Sequence, residues 1–317
     1  MSGIALRNGR EATAPQSILD FYARPARMTA PGRHAPMVDA LPNDVSELAR
    51  IVQGLLLYDV VAADFYGFAP PDERKSEIHL RSVESMLDRL LSLDDRPLSA
   101  ARPLDKRLLG RCRHYALLLV ALLRAKGIAA RARCGFAGYF NAPRYEDHWV
   151  CEFWNMNDGR WALADAQLDD VWRGRLCLSL DIHDLPRDRF LVAAEAWDLC
   201  RSGAADPEAF GISFAGLRGL WFVAGALVKD VAALNKAETL PWDVWAAQPR
   251  PDAKLDDDRL GFFDHLAEVT REPDETFTTL RNLYDDNERL RVPTTVFNAL
   301  TRCAESVFAA GTEKSDP

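Results

Sequence analysis

The stretch GRCRHYALLLVALLRAKGI, from Gly110 to Ile128, constrains this chain more than any other. Its run of leucines and alanines, stopped by Lys126-Gly127, predicts one strongly apolar helix with Tyr115, Leu118, Leu119 and Leu122 on a shared face. One residue is out of place. Cys112 stands on the first turn between Arg111 and Arg113, whereas a structural cysteine belongs among the leucines. A thiol at a helix N-terminus with cationic neighbours is the setting that favours its thiolate, the nucleophilic form. A lone helical cysteine is ordinarily core, so the position needs partners before it carries meaning.

Texture changes directly after this helix. In IAARARCGFAGYF, Ala130, Ala132, Cys134 and Phe136 alternate with Arg131 and Arg133, as in a strand. DHWVCEFWN and RWALADAQ read as two further strands, joined by MNDGR, whose Asp158-Gly159 signals a hairpin turn. Upstream, residues 1–43 read as an irregular lead-in, and residues 44–104 as helices. The first, NDVSELARIVQGLLLYDVVAADFYG, has Asn43 or Asp44 as its cap and stops near Gly67; the second covers residues 72–93. Pro97 and Pro103 mark a loop before the core, which spans 105–186. Helical texture returns over 187–317, in DRFLVAAEAWDLCRSG, LRGLWFVAGALVKDVAALNKAE, DDDRLGFFDHLAEVTR, DETFTTLRNLYDDN and TTVFNALTRCAESVFAA. The expected fold class is α+β, a centre of one helix plus a sheet with extensive helical flanks on both sides in sequence.

Composition narrows the partners. The 317 residues carry a net charge of −8, which argues against nucleic acid or an anionic membrane. The opening MSGIALRNGREATAPQ lacks the apolar run of a signal peptide, and the longest apolar run, Ala116 to Leu123, is too short to span a bilayer. Six cysteines, at 112, 134, 151, 177, 200 and 303, are scattered without a CxxC pair, so reduced thiols and a cytoplasmic location are expected.

A thiol nucleophile needs a base, and the base needs a third group to hold its tautomer. His148 opens one strand of the predicted hairpin and Asp165 closes the other, which makes them cross-strand neighbours. The set is complete if the start of the Cys112 helix docks against that end of the hairpin. His114 lies about 200° round the helix from Cys112 and reads as structural or pocket-lining. Cys112, His114, Cys134 and Cys151 lack the paired spacing of structural zinc, so neither a metal nor a cofactor is expected.

In this order, GRCRHYALLLVALLRAKGIAARARCGF, DHWVCEFW and GRWALADAQ together resemble the transglutaminase-like superfamily, a branch of the papain-like cysteine enzymes. The resemblance covers roughly residues 107–170. It rests on the helix-borne cysteine, the Lys126-Gly127-Ile128 turn into the sheet, an H-x-x-x-E strand from His148 to Glu152, and a W-x-x-x-D strand from Trp161 to Asp165. It implies a papain/transglutaminase-like core with the cysteine helix packed on an antiparallel sheet. Cys112 would be the nucleophile, His148 the general base and Asp165 its orienter.

The implied reaction is attack of the Cys112 thiolate on an amide or thioester carbonyl, giving an acyl-enzyme that an amine or water resolves. The helix N-terminus would offer a backbone N–H to the oxyanion. Further oxyanion or substrate contacts are expected among Gln53, an amide inside the apolar run IVQGLLLY, and Arg111, Asp147 and Trp149. The implied partners are a small-molecule or carrier-bound acyl substrate and an amine acceptor. A cysteine peptidase or amidase with the same triad is the alternative within this chemistry. A non-catalytic scaffold that merely keeps the fold is the alternative outside it.

Overall fold

The computed structural model describes residues 14–307, and over that span the chain is α+β. The apolar helix forms over Cys112–Ala125 and is buried on every side, with Arg113, His114 and Arg124 inside as well. The single-face expectation gives way because the helix is covered from two directions. It packs against the strand Arg144–Asn155 and against the N-terminal helix Val45–Leu55. Burying a leucine contributes about 1.5–3 kcal/mol, so this helix anchors the fold. Its buried cation at Arg124 is matched by the Ala130 carbonyl at 2.8 Å, Thr29 Oγ1 at 3.0 Å and Glu238 Oε1 at 3.2 Å.

The strands Ala130–Asn141 and Arg144–Asn155 pair antiparallel, with Gly135 opposite His148. Phe190–Val192 flanks the first strand so closely that a Cβ on Gly135 would lie 2.2 Å from the Leu191 carbonyl oxygen. The other edge of the Arg144–Asn155 strand is shared. Arg160–Ala164 pairs with its C-terminal half, from Asn155↔Arg160 to Cys151↔Ala164, closing the predicted hairpin through Gly159 at φ +63°. Phe210–Ile212 pairs parallel with Tyr145 and Glu146 near its start. Between these two partners the edge is open at residues 147–150, and Asp165 leaves its strand beside that gap.

The Ala130–Asn141 strand is buried at every position from Ala130 to Ala137, the mark of a sheet covered on both faces. The helix Leu220–Leu234 lies against it. Arg131 and Arg133 are therefore interior, 2% and 1% exposed, rather than a solvated face. Their charges meet Glu152, Asp230 and Asp274.

Several stretches fold differently from the sequence reading, among them DRFLVAAEAWDLCRSG and LRGLWFVAGALVKDVAALNKAE, whose helices are preceded by the strands Phe190–Val192 and Leu217–Arg218. The lead-in holds the helix Gln16–Ala23, packed on the core through Ile18 and Tyr22. The first expected long helix is Val45–Leu55, capped by Asp44; the chain then runs as the strand Leu56–Tyr58, parallel to Leu108–Gly110. An apolar run such as LLLYDVV suits either state, and a remote ladder partner decided it. In the second, Asp72–His79 is a 3-10 helix, and the α-helix Val83–Leu93 starts at its own cap, where Ser82 Oγ accepts from Ser85 N–H.

The last expected helix is a hairpin of Thr295–Asn298 with Cys303–Ser306, docked on Asp243–Val244. Burial alternates with period two there, Val296 and Asn298 in, Thr295 and Phe297 out, and Asn298 Oδ1 accepts the turn N–H groups of Leu300 and Thr301. Residues 308–310 of that stretch, and residues 1–13 of the lead-in, lie outside the described residues. Among the described residues all six cysteines are free, and no helix is long and apolar enough to cross a membrane.

Candidate active site

The parallel pair Leu56–Tyr58 and Leu108–Gly110 delivers the chain to the cysteine. Register Tyr58↔Gly110 brings the following residues, Asp59 and Arg111, together, and Arg111 Nη2 donates to Asp59 Oδ2 at 2.9 Å. Cys112 is then the first helical residue. The helix start is fixed by His114, whose Nδ1 accepts the Arg111 N–H at 3.1 Å. Burial, with the charge of Arg113 beside it, pushes the His114 pKa down to about 3, so the ring is neutral and able to accept. His114 is a cap.

The two arginines flanking Cys112 diverge. Arg111 stays at the cleft wall beside the rings of Tyr58 and Trp242. Arg113 is wholly buried and donates to the Glu238 carbonyl, and burial pulls its pKa down to about 10.

Against this helix start lies the edge gap of the sheet. His148 Nε2 and Asp165 Oδ2 are 2.8 Å apart, and the Cys112 thiol lies near enough to the ring to act on its charge. Burial opposes a charge on the ring, but the Asp165 carboxylate and the Cys112 contact outweigh it and raise the His148 pKa to about 10. Asp165 is itself held: Tyr139 Oη donates to Oδ2 at 2.7 Å and the Gln167 N–H donates to Oδ1 at 3.0 Å. Phe140 stands edge-on to the imidazole, with centroids 4.9 Å apart, and Phe190 lies 6.3 Å away. The structure thus brings Cys112, His148 and Asp165 together, with His148 hydrogen-bonded to Asp165 and beside the Cys112 thiol.

This group opens into a cleft of about 330 Å³. One wall is aromatic: Phe65 and Phe140 meet Trp172 edge-on at 4.7 and 5.5 Å, and Tyr58 meets it at 5.6 Å. Asp147, Ile212, Ser213 and Phe214 line the cleft as well.

Of the further contacts expected from the sequence, Arg111 and Asp147 line the cleft. Gln53 is not among the lining residues; its amide donates to the Leu168 carbonyl at 3.4 Å, which explains a polar side chain in an apolar run. Trp149 is also absent from the cleft. It is 1% exposed and sits in the sheet opposite Cys134. Glu152, the acid of the H-x-x-x-E pattern, is tied up by Arg131, Arg133 and Arg187.

Sequence reading missed Tyr139, Gln167 and Trp172. Tyr139 and Gln167 lie within the stretches read as strands, and a hydroxyl in GYF or an amide in DAQ was the available signal. Trp172 had none beyond being aromatic.

Residues 78–166 match the family model described as the transglutaminase-like superfamily, a span that contains Cys112, His148 and Asp165. Among curated proteins no match was found. One solved structure with similarity is a candidate cysteine protease from Cytophaga hutchinsonii, 17% identical, at a TM-score of 0.30. The match covers 54% of this chain and 44% of that one, so it spans less than half of that protein's length.

Proposed function

We propose that this chain, whose residues 78–166 carry a transglutaminase-like core, is a cysteine-dependent enzyme that transfers acyl groups through Cys112. The observation that carries this reading is that Cys112 and His148 line one cleft side by side, with Asp165 Oδ2 holding the His148 ring at 2.8 Å. His148 takes the thiol proton, and Cys112 Sγ attacks the carbonyl carbon of an amide or thioester. The new S–C bond places an oxyanion near the helix N-terminus, where first-turn N–H groups have no intrahelical acceptor. The bond to the leaving group then breaks, and His148 returns its proton to the departing amine or thiol. An amine or water attacks the acyl-enzyme, the S–C bond breaks, and Cys112 is restored.

A small acyl donor suits the site. Small-molecule clefts run upward from about 300 Å³, and this one has an aromatic wall to receive an apolar acyl group.

The test uses an aryl thioester of a phenyl-substituted short-chain acid, with peptide mass spectrometry of the quenched protein. An acyl adduct on Cys112, absent in Cys112→Ala and discharged faster by added amine than by buffer, is expected. An adduct no more abundant on Cys112 than on the exposed Cys303 overturns the reading. Discharge by water alone, with amine indifferent, makes the enzyme a hydrolase.

A further inference from the structure

On the reading of the site given above, we infer that Asp147 receives a cationic group of the acceptor, so that the amine co-substrate carries a second, positively charged group remote from the attacking nitrogen. Three observations lead there. First, Asp147 lines the cleft that holds Cys112 and His148.

Second, its carboxylate has no hydrogen bond and no ion pair with any described residue, although the carboxylates around it do. Glu146 accepts from Asn141 Nδ2 and the Ser213 N–H, Asp59 holds Arg111, and Asp165 accepts from Tyr139 and the Gln167 N–H while meeting His148. The cations whose fields reach Asp147 are Lys229 and His148, and neither stands at ion-pair distance. A carboxylate in a half-buried position loses water without gaining a partner, an arrangement that favours an arriving cation.

Third, the same cleft carries the aromatic cluster around Trp172, which suits an apolar acyl group and leaves the Asp147 carboxylate for the polar acceptor.

Chemistry then fixes the kind of amine. The nitrogen that attacks the Cys112 thioester must be neutral, because a protonated amine has no lone pair. In that step the N–C bond forms, the S–C bond breaks, the electron pair returns to Cys112 Sγ and the amine proton passes to His148. A cation at Asp147 must therefore sit on another atom of the same molecule. Linear diamines and amino-guanidines have that form. Asp147 is a specificity residue in this account and takes no part in bond making. Burial raises its pKa to about 6, against the opposing pull of Lys229 and His148, which leaves it mostly ionised at neutral pH.

The experiment compares linear alkyl diamines with monoamines of the same chain length as acceptors for the Cys112 acyl-enzyme. Wild type should prefer the best diamine by about tenfold in kcat/KM, the scale of one hydrogen bond to a charged group, with the difference carried by KM. Asp147→Asn should erase that preference and Asp147→Glu should keep part of it. Preference that persists in Asp147→Asn, or is absent from wild type while the acyl-enzyme forms, overturns the inference and leaves acyl transfer standing.

Calorimetry of the same diamine with Cys112→Ser separates the two readings. Diamine binding that needs Asp147, found while the wild-type Cys112 takes up no acyl group from the thioester donor, supports the cation site and overturns the transfer reaction.

Discussion

His148 and Glu152 stand four residues apart on one strand, both almost completely buried, and they do opposite things. Glu152 is saturated. Arg131 and Arg133 reach Oε2 at 2.7 and 3.0 Å, and Arg187 reaches Oε1 at 2.7 Å. Arg133 continues to Asp230, and Arg131 to Asp274 and the face of Trp161, 3.9 Å from its centroid. Burial alone would push the Glu152 carboxyl up, but the three guanidinium groups hold it well below the usual range. His148 is oriented on one side by Asp165 and meets a thiol on the other, at the wall of a cleft. Burial and a perturbed pKa are common to both. What separates the two is that the shell of His148 is left open toward the cleft, whereas that of Glu152 is filled.

The comparison breaks most readily at Glu152 and His148 themselves. Glu152→Gln keeps the shape and removes the charge, leaving two interior arginines undercompensated. Urea unfolding should show a loss of about 3–5 kcal/mol, the scale for breaking a buried pair. His148→Ala should slow iodoacetamide labelling of Cys112 by about 10²-fold or more while the urea midpoint moves far less. Equal losses of stability from both substitutions would sink the contrast.

Asp165→Asn sharpens it next. The folded His148 pKa, near 10, lies above the ordinary value of about 6.5. A raised pKa of this kind contributes stability that is fully present below about pH 6.5 and fades as pH rises through about 10. Removing the Asp165 charge lowers the folded value, so the contribution should shrink and its fade should be complete at lower pH, visible in urea midpoints and in the histidine NMR titration. A His148 titration that stays near 10 in Asp165→Asn would contradict the assignment.

Tyr139→Phe deletes one of the hydrogen bonds that orient Asp165. An effect of about 1 kcal/mol, or roughly fivefold in the acylation rate, is expected, with the fold retained.

Gln53→Ala should do least. It removes a long bond to the Leu168 carbonyl, for a stability change below about 1 kcal/mol, and the acylation rate should hold. A large fall in acylation would return Gln53 to the oxyanion site.

Much of the site was legible beforehand because its pieces obey local rules. A cysteine at the first turn of an apolar helix, and a histidine and aspartate at matching ends of a hairpin, are fixed by the periods of helix and strand. The second arginine beside Cys112 was not legible. Its companion, Arg111, holds its place through Asp59, fifty-two residues earlier, in a stretch that periodicity assigns to a helix. Arg131 and Arg133 alternate as a solvated face would, and only the packing of the Leu220–Leu234 helix shows them to be interior. Tyr139 looked like one more strand aromatic until the fold set its hydroxyl on Asp165.

The sequence by itself determined the α+β class, the cysteine helix and the hairpin after it. Each of these rests on residues within a turn or a strand of one another, where backbone geometry leaves few choices. Tertiary structure alone decided that the helix start meets the open edge of the sheet, that Gln53 and Trp149 stay out of the cleft, and that Asp147 enters it without a partner. Those outcomes depend on which distant groups satisfy one another's charge and hydrogen bonds, and spacing along a chain does not encode that pairing.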